Sequence, residues 1–253
     1  MAEPTIRLAV TRFQPETDRE PTIQTYTIPY HDDWVVLDAL QYIKDYVDGT
    51  LSFRWSCHMG VCGSCGMMVN GTPALTCASF LREIYPREVR VEPLANFPII
   101  RDLIIDMDDF MHKLKEVKAW VIRDDMDRLP VGVGNELRQS PEQMEDFHQF
   151  AMCINCMLCY SACPVYAMEP KFLGPAAIAL AHRYNMDSRD QGRNQRMPVV
   201  GSSEGIWECT FVGECSVVCP KHVDPAAAIQ RTKLAATTDV FSLKAMVMPW
   251  GNR

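Results

Sequence analysis

"CINCMLCYSACP", residues Cys153–Pro164, is a complete C-x2-C-x2-C-x3-C-P run. Such a run serves two iron–sulfur clusters at once: its first three thiolates hold one cubane and the fourth reaches the other. The closing proline cannot extend a helix that needs its N–H, so it turns the chain away after the last thiol. The run therefore requires a partner elsewhere in the chain. "CTFVGECSVVCP", Cys209–Pro220, is that partner with one departure, because Val212 stands where its second cysteine belongs.

Counting thiols resolves the departure. Cys153, Cys156 and Cys159 with Cys219 make four ligands, enough for a [4Fe–4S] cluster. Cys163, Cys209 and Cys215 make three, and no cysteine of the two runs is left over. A cubane short of one thiolate loses the unligated iron and becomes [3Fe–4S], which is the form expected here. The alternative is a [4Fe–4S] cluster completed by water or a distant side chain, since valine has no donor atom.

The remaining thiols, Cys57, Cys62, Cys65 and Cys77, are spaced C-x4-C-x2-C-x11-C. This matches the plant-type loop that holds a [2Fe–2S] cluster with four cysteines. Gly60, Gly63 and Gly66 between them are expected to allow tight turns that aim N–H groups at the cluster sulfides. A structural zinc site is the competing reading, but zinc sites usually pair two short C-x2-C knuckles rather than use one wide loop. His58 beside a ligand is taken as a solvated loop residue, because a Rieske centre would replace two cysteines by histidines.

Outward from the thiols, the first hundred residues read as mixed strand and helix. "TIRLAVTRF" and "IQTYTIPY" look like strands, "REVRVEPL" like another, and Asn70-Gly71 between apolar stretches marks a hairpin. "HDDWVVLDALQYIKDYVDG" reads as a helix with an acidic start and a closing glycine. A second helix is expected over "DLIIDMDDFMHKLKEVKAW", with Ile104, Met107, Met111 and Leu114 on its apolar stripe. "RDDMDRLPVGVGNELRQ" reads as a linker. Beyond it the cues are helical: Ser140-Pro141-Glu142-Gln143 is a capping box, and helices begin at Pro175 and Pro225. The fold class is thus α+β: a β-grasp plant-type [2Fe–2S] ferredoxin domain over residues 1–105, a helix and linker over 106–139, and an all-α bacterial-ferredoxin-like domain over 140–253.

Composition narrows the function. The 253 residues carry a net charge of −7, which argues against nucleic acid as a partner. No apolar run approaches the ~20 residues that cross a bilayer, and no secretory signal is visible at the N-terminus. Eleven cysteines in such a chain point to metal or redox use rather than to disulfides. His31, His112, His148 and His182 lack partners at ligand spacing and read as surface or satisfied core residues. The fifteen methionines read mainly as core packing. No nucleotide-binding loop or Ser-His-Asp signature is present, so no residue is assigned a catalytic role.

Taken together, "RWSCHMGVCGSCGMMVNG", "NFPIIRDLIID", "CINCMLCYSACP", "GPAAIALAHRYNMDSRD" and "CTFVGECSVVCPKHVDPAAAIQ" resemble the iron–sulfur subunit of succinate:quinone oxidoreductases, the succinate dehydrogenases and fumarate reductases. The resemblance covers nearly the whole chain apart from the linker and the last ten or so residues. It implies an electron-transfer subunit between an FAD-bearing flavoprotein subunit and a membrane anchor, peripheral on the cytoplasmic face of the cell membrane. The [2Fe–2S] domain would face the flavin, and the three-iron cluster a quinone. Pro164, Thr210 and Lys233 are the implied quinone contacts, with a solvated helix lysine as the plainer reading of Lys233. Ubiquinone-linked members usually carry a histidine after the first three-iron cysteine and a tryptophan past the CP. Thr210 and Met168 occupy those places here, which implies menaquinone and the fumarate-reductase type. The rival readings are a free multi-cluster carrier, for which an apolar tail such as "FSLKAMVMPW" would be superfluous, and a subunit of another quinone-linked dehydrogenase.

Overall fold

The computed structural model describes residues 4–125 and 136–241; most of the expected linker and the stretch after Phe241 lie outside them. The chain divides into two compact units that interleave in sequence. One comprises Met1–Met107, Ile154–Ala162 and Val218–Pro220; the other comprises Asp108–Cys153, Cys163–Val217 and Lys221–Arg253.

The first unit is built on a five-stranded sheet. Its strands are β1 (Thr5–Arg12), β2 (Thr22–Pro29), β3 (Gly66–Val69), β4 (Thr72–Leu75) and β5 (Val89–Glu92), in the order β2-β1-β5-β3-β4. β1 and β5 are parallel and the other pairings antiparallel. Alternation along β1 sends Ile6, Leu8 and Val10 into the core, where they meet Val36, Ala39 and Leu40 of helix α1 (Val36–Tyr42). α1 widens into one π-helical turn over Ile43–Val47. Asn70 and Gly71 both have positive φ, 50° and 82°, as a two-residue hairpin of the twist-matched kind requires. A short helix α2 (Leu81–Ile84) precedes β5, and a two-stranded ribbon, β6 (Ile99–Arg101) with β7 (Ile104–Ile105), follows it.

A buried cation organises this unit. Arg12, at the end of β1, donates to Asp102 at 3.0 Å, Tyr26 at 2.6 Å and Thr50 at 2.7 Å, and also pairs with Asp48. Asp102 is fully buried and accepts the Ser52 and Phe13 N–H groups as well. These contacts hold Arg12 firmly charged, and hydrogen bonds led by the Thr50 hydroxyl hold Asp48 below the usual carboxylate range.

The second unit is helical, with no strand among its described residues. It contains α3 (Asp108–Glu116), α4 (Pro141–Glu145), α5 (His148–Ala151), α7 (Pro164–Met168), α8 (Pro175–Asn185), α9 (Arg193–Val200), α10 (Glu214–Val217) and α11 (Pro225–Phe241). Ser140 and Gln143 close the expected capping box at 2.9 and 3.2 Å, and Asp224 caps α11 through Ala227 N–H at 2.9 Å. α8 packs on α11, with Thr232 Oγ1 3.3 Å from His182 Nδ1 between them. Arg196 is fully buried. Its guanidinium is held by both oxygens of Asp190 at 2.6 and 2.7 Å and by the carbonyls of Lys118 and Trp120.

Two expectations are corrected. The stripe beginning at Ile104 is not one helix, because Ile104 lies in β7 and the helix starts only at Asp108. Its inward residues are Phe110, Lys113 and Val117, while Met111 is exposed. Lys113 can be buried because Asp109 (2.7 Å) and the Pro170 carbonyl accept its ammonium protons. Among the described residues the methionines are mostly not core: Met67 and Met157 are buried, but Met59, Met111, Met144, Met152 and Met168 are exposed. His58 is exposed on its loop, as expected, and its Nε2 also lies 3.1 Å from Asp38.

Two outcomes follow. Removing the Asp102 carboxylate (Asp102→Ala) strands a buried guanidinium with only Asp48 as counter-ion. Breaking such a pair costs about 3 kcal/mol, to be read from the denaturant midpoint. His182 is buried against Phe150 and Thr232, and burial, aided by the Arg231 charge, lowers its pKa to about 4. Between pH 6.5 and about 4 the unfolded chain binds a proton that the folded chain refuses. Stability therefore falls with falling pH in that window, by up to about 1.4 kcal/mol per unit. His182→Gln should flatten that part of the stability–pH curve.

Candidate metal centres

Three thiols of the first group, Cys57, Cys62 and Cys65, lie on a loop that enters from Ser52 and ends where β3 begins. Left-handed backbone at His58, Gly60 and Gly63 coils this loop. It points N–H groups inward: those of Met59 and Val61 lie 3.5 and 3.4 Å from Cys57 Sγ, and that of Cys57 lies 3.5 Å from Cys62 Sγ. These donors, that of Met59 foremost, pull the Cys57 pKa down to about 6, so the backbone favours a thiolate there. Cys77 sits in a 3-10 turn directly after β4. The Thr76 hydroxyl and N–H both bond the Cys65 carbonyl, at 3.0 and 3.1 Å. Burial, with Cys65 adding to it, pushes the Cys77 thiol up to about 11. Of the three glycines, Gly60 and Gly63 have positive φ and Gly66 does not; what Gly66 lacks room for is a side chain. A Cβ there would stand 3.0 Å from the Cys156 carbonyl oxygen and 3.2 Å from Leu158 Cδ2.

Cys156 and Cys159, the latter in helix α6 (Leu158–Ser161), belong to the strand-rich unit, as does Cys219. Asn96 fixes this segment by donating to the carbonyls of Tyr160 and Ser161 at 3.0 and 3.1 Å, and Ser161 returns a hydrogen bond to the Ala95 carbonyl at 2.9 Å. Cys153 is the last residue of the helical unit before this segment.

Cys163, Cys209 and Cys215 all belong to the helical unit. Cys163 caps α7, its Sγ accepting the Tyr166 N–H at 3.5 Å. Burial raises the Cys163 thiol, and raises Cys215 to about 11. The neighbouring thiols add to both shifts, which is the electrostatic sign of three groups gathered together. Val212 lies exposed on the loop between Cys209 and α10, flanked by left-handed Phe211 and Gly213. Pro164 and Thr210 are exposed, and Lys233 donates to the Cys209 carbonyl at 2.8 Å. None of the eleven cysteines forms a disulfide. Among the described residues no three of His, Cys, Asp or Glu converge on one ion position. Cluster ligands need no such convergence, because a cluster spreads its thiolates over several irons. The donor set, thiols with backbone N–H groups turned toward the first of them, therefore fits iron–sulfur clusters.

Sequence reasoning missed the support beneath α7. Tyr166 donates to Asp109 at 2.8 Å, and the Lys113 ammonium, bound to the same carboxylate, lies 4.6 Å over the Tyr166 ring. A tyrosine three residues past a cysteine carries no signal by itself.

Residues 7–112 match the family described as "2Fe-2S iron-sulfur cluster binding domain", and residues 149–223 match that of a "4Fe-4S dicluster domain". A fumarate reductase iron–sulfur subunit of Mycobacterium tuberculosis is 58% identical over 246 residues, covering 97% of this chain and 98% of that one. The chain belongs to the iron–sulfur subunits of the succinate dehydrogenase and fumarate reductase family. The corresponding fumarate reductase subunit of Haemophilus influenzae is 50% identical, covering 93% of this chain and 94% of its own, so the likeness is to the fumarate reductase type. A chain of the solved "Mycobacterium smegmatis Sdh1 complex in the apo form" shares the fold, with TM-score 0.82, 24% identity, and 95% of this chain and 98% of that one covered.

As a subunit of this family, the chain holds one end of its last thiol group through α7. Tyr166→Phe, which removes one hydrogen bond, should cost about 1 kcal/mol. Asp109→Ala, which also takes a counter-ion from buried Lys113, should cost more. Thermal unfolding of the loaded protein ranks the two.

Proposed function

We propose that the chain relays single electrons between FAD in a flavoprotein subunit, where succinate and fumarate interconvert, and a quinone at a membrane anchor. The clusters, when bound, supply the one-electron chemistry; the chain's residues position and tune them. On this reading Cys57, Cys62, Cys65 and Cys77 hold [2Fe–2S], Cys153, Cys156, Cys159 and Cys219 hold [4Fe–4S], and Cys163, Cys209 and Cys215 hold [3Fe–4S]. The domains proposed for these tasks are residues 1–105 for the first cluster and 140–253 for the other two, joined by 106–139.

The observation that carries the reading is the third thiol group. It offers three thiols that all belong to the helical unit and, at the sequence place of a fourth, an exposed valine without a donor atom. The surface supports docking at both thiol regions: Trp55, Met59 and Val61 are exposed on the first loop, and Phe211, Val212 and Val217 in the third region. Exposed apolar side chains clustered in this way mark sites where partners bind. No helix among the described residues is long and apolar enough to cross a membrane, which agrees with a peripheral place, proposed on the cytoplasmic face. Menaquinone is the proposed quinone, from Thr210 and Met168, with Pro164, Thr210 and Lys233 as its contacts. The Lys233 ammonium, already bound to the Cys209 carbonyl, retains two further protons for an oxygen acceptor.

Electron paramagnetic resonance of the air-oxidised complex should give a three-iron signal, and the reduced complex a [2Fe–2S] signal. Val212→Cys should replace the oxidised three-iron signal by that of a reducible [4Fe–4S] centre. An unchanged three-iron signal in that variant would show that position 212 is not the vacant corner.

A further inference from the structure

Two glycines of the first thiol loop touch the loop that carries Cys156. A Cβ on Gly63 would stand 2.7 Å from the Ile154 carbonyl oxygen and 3.0 Å from both Cα and Cβ of Cys156. On Gly66 it would stand 3.0 Å from the Cys156 carbonyl oxygen. The obstructing atoms are mainly backbone, which cannot swing aside as a flexible side-chain tip would. Gly60 is the internal contrast: it shares the left-handed backbone of Gly63, φ 69° against 75°, yet an added Cβ there meets nothing within 4 Å. The close approach is also secured from outside the glycines. Asn96 and Ser161 fasten α6, and Leu94 and Leu158, both buried, pack beside Gly66.

We infer that Gly63 and Gly66 are spacing residues: their missing side chains set the gap between the Cys62–Cys65 rim of one centre and the Cys156 ligand of the next, and so set the rate of electron passage between them. This rests on the ligand assignment proposed above. The step is a bare one-electron transfer, in which the donor centre is oxidised by one electron, the acceptor is reduced by one, and no bond or proton changes hands. Because tunnelling weakens exponentially with distance, a few tenths of an ångström of forced separation along a shared backbone contact is felt directly in the rate.

The test compares Gly60→Ala, Gly63→Ala and Gly66→Ala in the assembled complex. Iron and acid-labile sulfide content come first, then microwave-power saturation of the [2Fe–2S] resonance in the dithionite-reduced protein. Saturation reports magnetic coupling to the neighbouring reduced centre and does not depend on turnover. Gly66→Ala, which needs no left-handed backbone, should keep its iron and sulfide. Its [2Fe–2S] signal should saturate at measurably lower power, and its inter-centre electron transfer should slow by up to about twofold. Gly63→Ala should do the same more strongly or lose iron, and Gly60→Ala should saturate like the parent. The inference is overturned if Gly66→Ala retains its clusters with unchanged saturation and rate, or if Gly60→Ala loses coupling as much as Gly63→Ala. Failure of the parent protein itself to show two coupled reduced centres would instead overturn the ligand assignment, and the spacing role with it.

Discussion

The guanidinium of Arg12 is a buried cation at the heart of the strand-rich unit, and the need to neutralise it decides where several other segments lie. Burying a charge is tolerable only if carboxylates and hydroxyls surround it. Asp48 from the end of the π turn, Tyr26 from β2, Thr50 and Asp102 supply those groups. Asp102 then uses its second oxygen to accept Ser52 N–H, two residues before the thiol loop starts at Arg54. The loop is thus anchored at its entrance by the same carboxylate that neutralises the core cation, and at its exit by Thr76 on the Cys65 carbonyl. Between the two anchors the backbone itself supplies the donors to sulfur. A hydrogen-bonded polar core beneath and N–H groups above are one continuous piece of engineering.

The helical unit uses the same principle with different parts. Buried arginine is paired there too, Arg196 with Asp190, and Asp187 with Arg183 and Arg189. Those pairs fasten the extended stretch at 118–123, through the Lys118 and Trp120 carbonyls and Ile122 N–H. Helix packing between α8 and α11 includes a buried polar contact, Thr232 Oγ1 to His182 Nδ1 at 3.3 Å. Cys163 and Cys215 of this unit are raised, by burial first. They contrast with Cys57, whose environment favours negative charge.

Much of this was legible in the sequence because it is encoded locally. The Asn70-Gly71 turn, the Ser140–Gln143 box and the proline starts at 175 and 225 each depend on residues within four positions of one another. The thiol groups declared themselves by spacing. What could not be read were contacts made at long range. Lys113 looks like a surface residue until the Pro170 carbonyl arrives fifty-seven positions later. Gly66 looks like a turn glycine until Cys156 closes on it. The helix expected from Ile104 failed for a related reason. An i, i+3, i+7 pattern of apolar residues can also be produced by a ribbon followed by a helix, and only the partner β6 distinguishes them.

The two units interleave along the chain, and this has a consequence for how the protein comes into being. The strand-rich unit acquires its last members only with Ile154–Ala162 and Val218–Pro220. A ribosome that has released the first hundred residues has therefore made a sheet, but not a finished body. Neither unit can be completed in order of synthesis, nor excised by a single cut. Completing either unit therefore draws on segments from both halves of the chain.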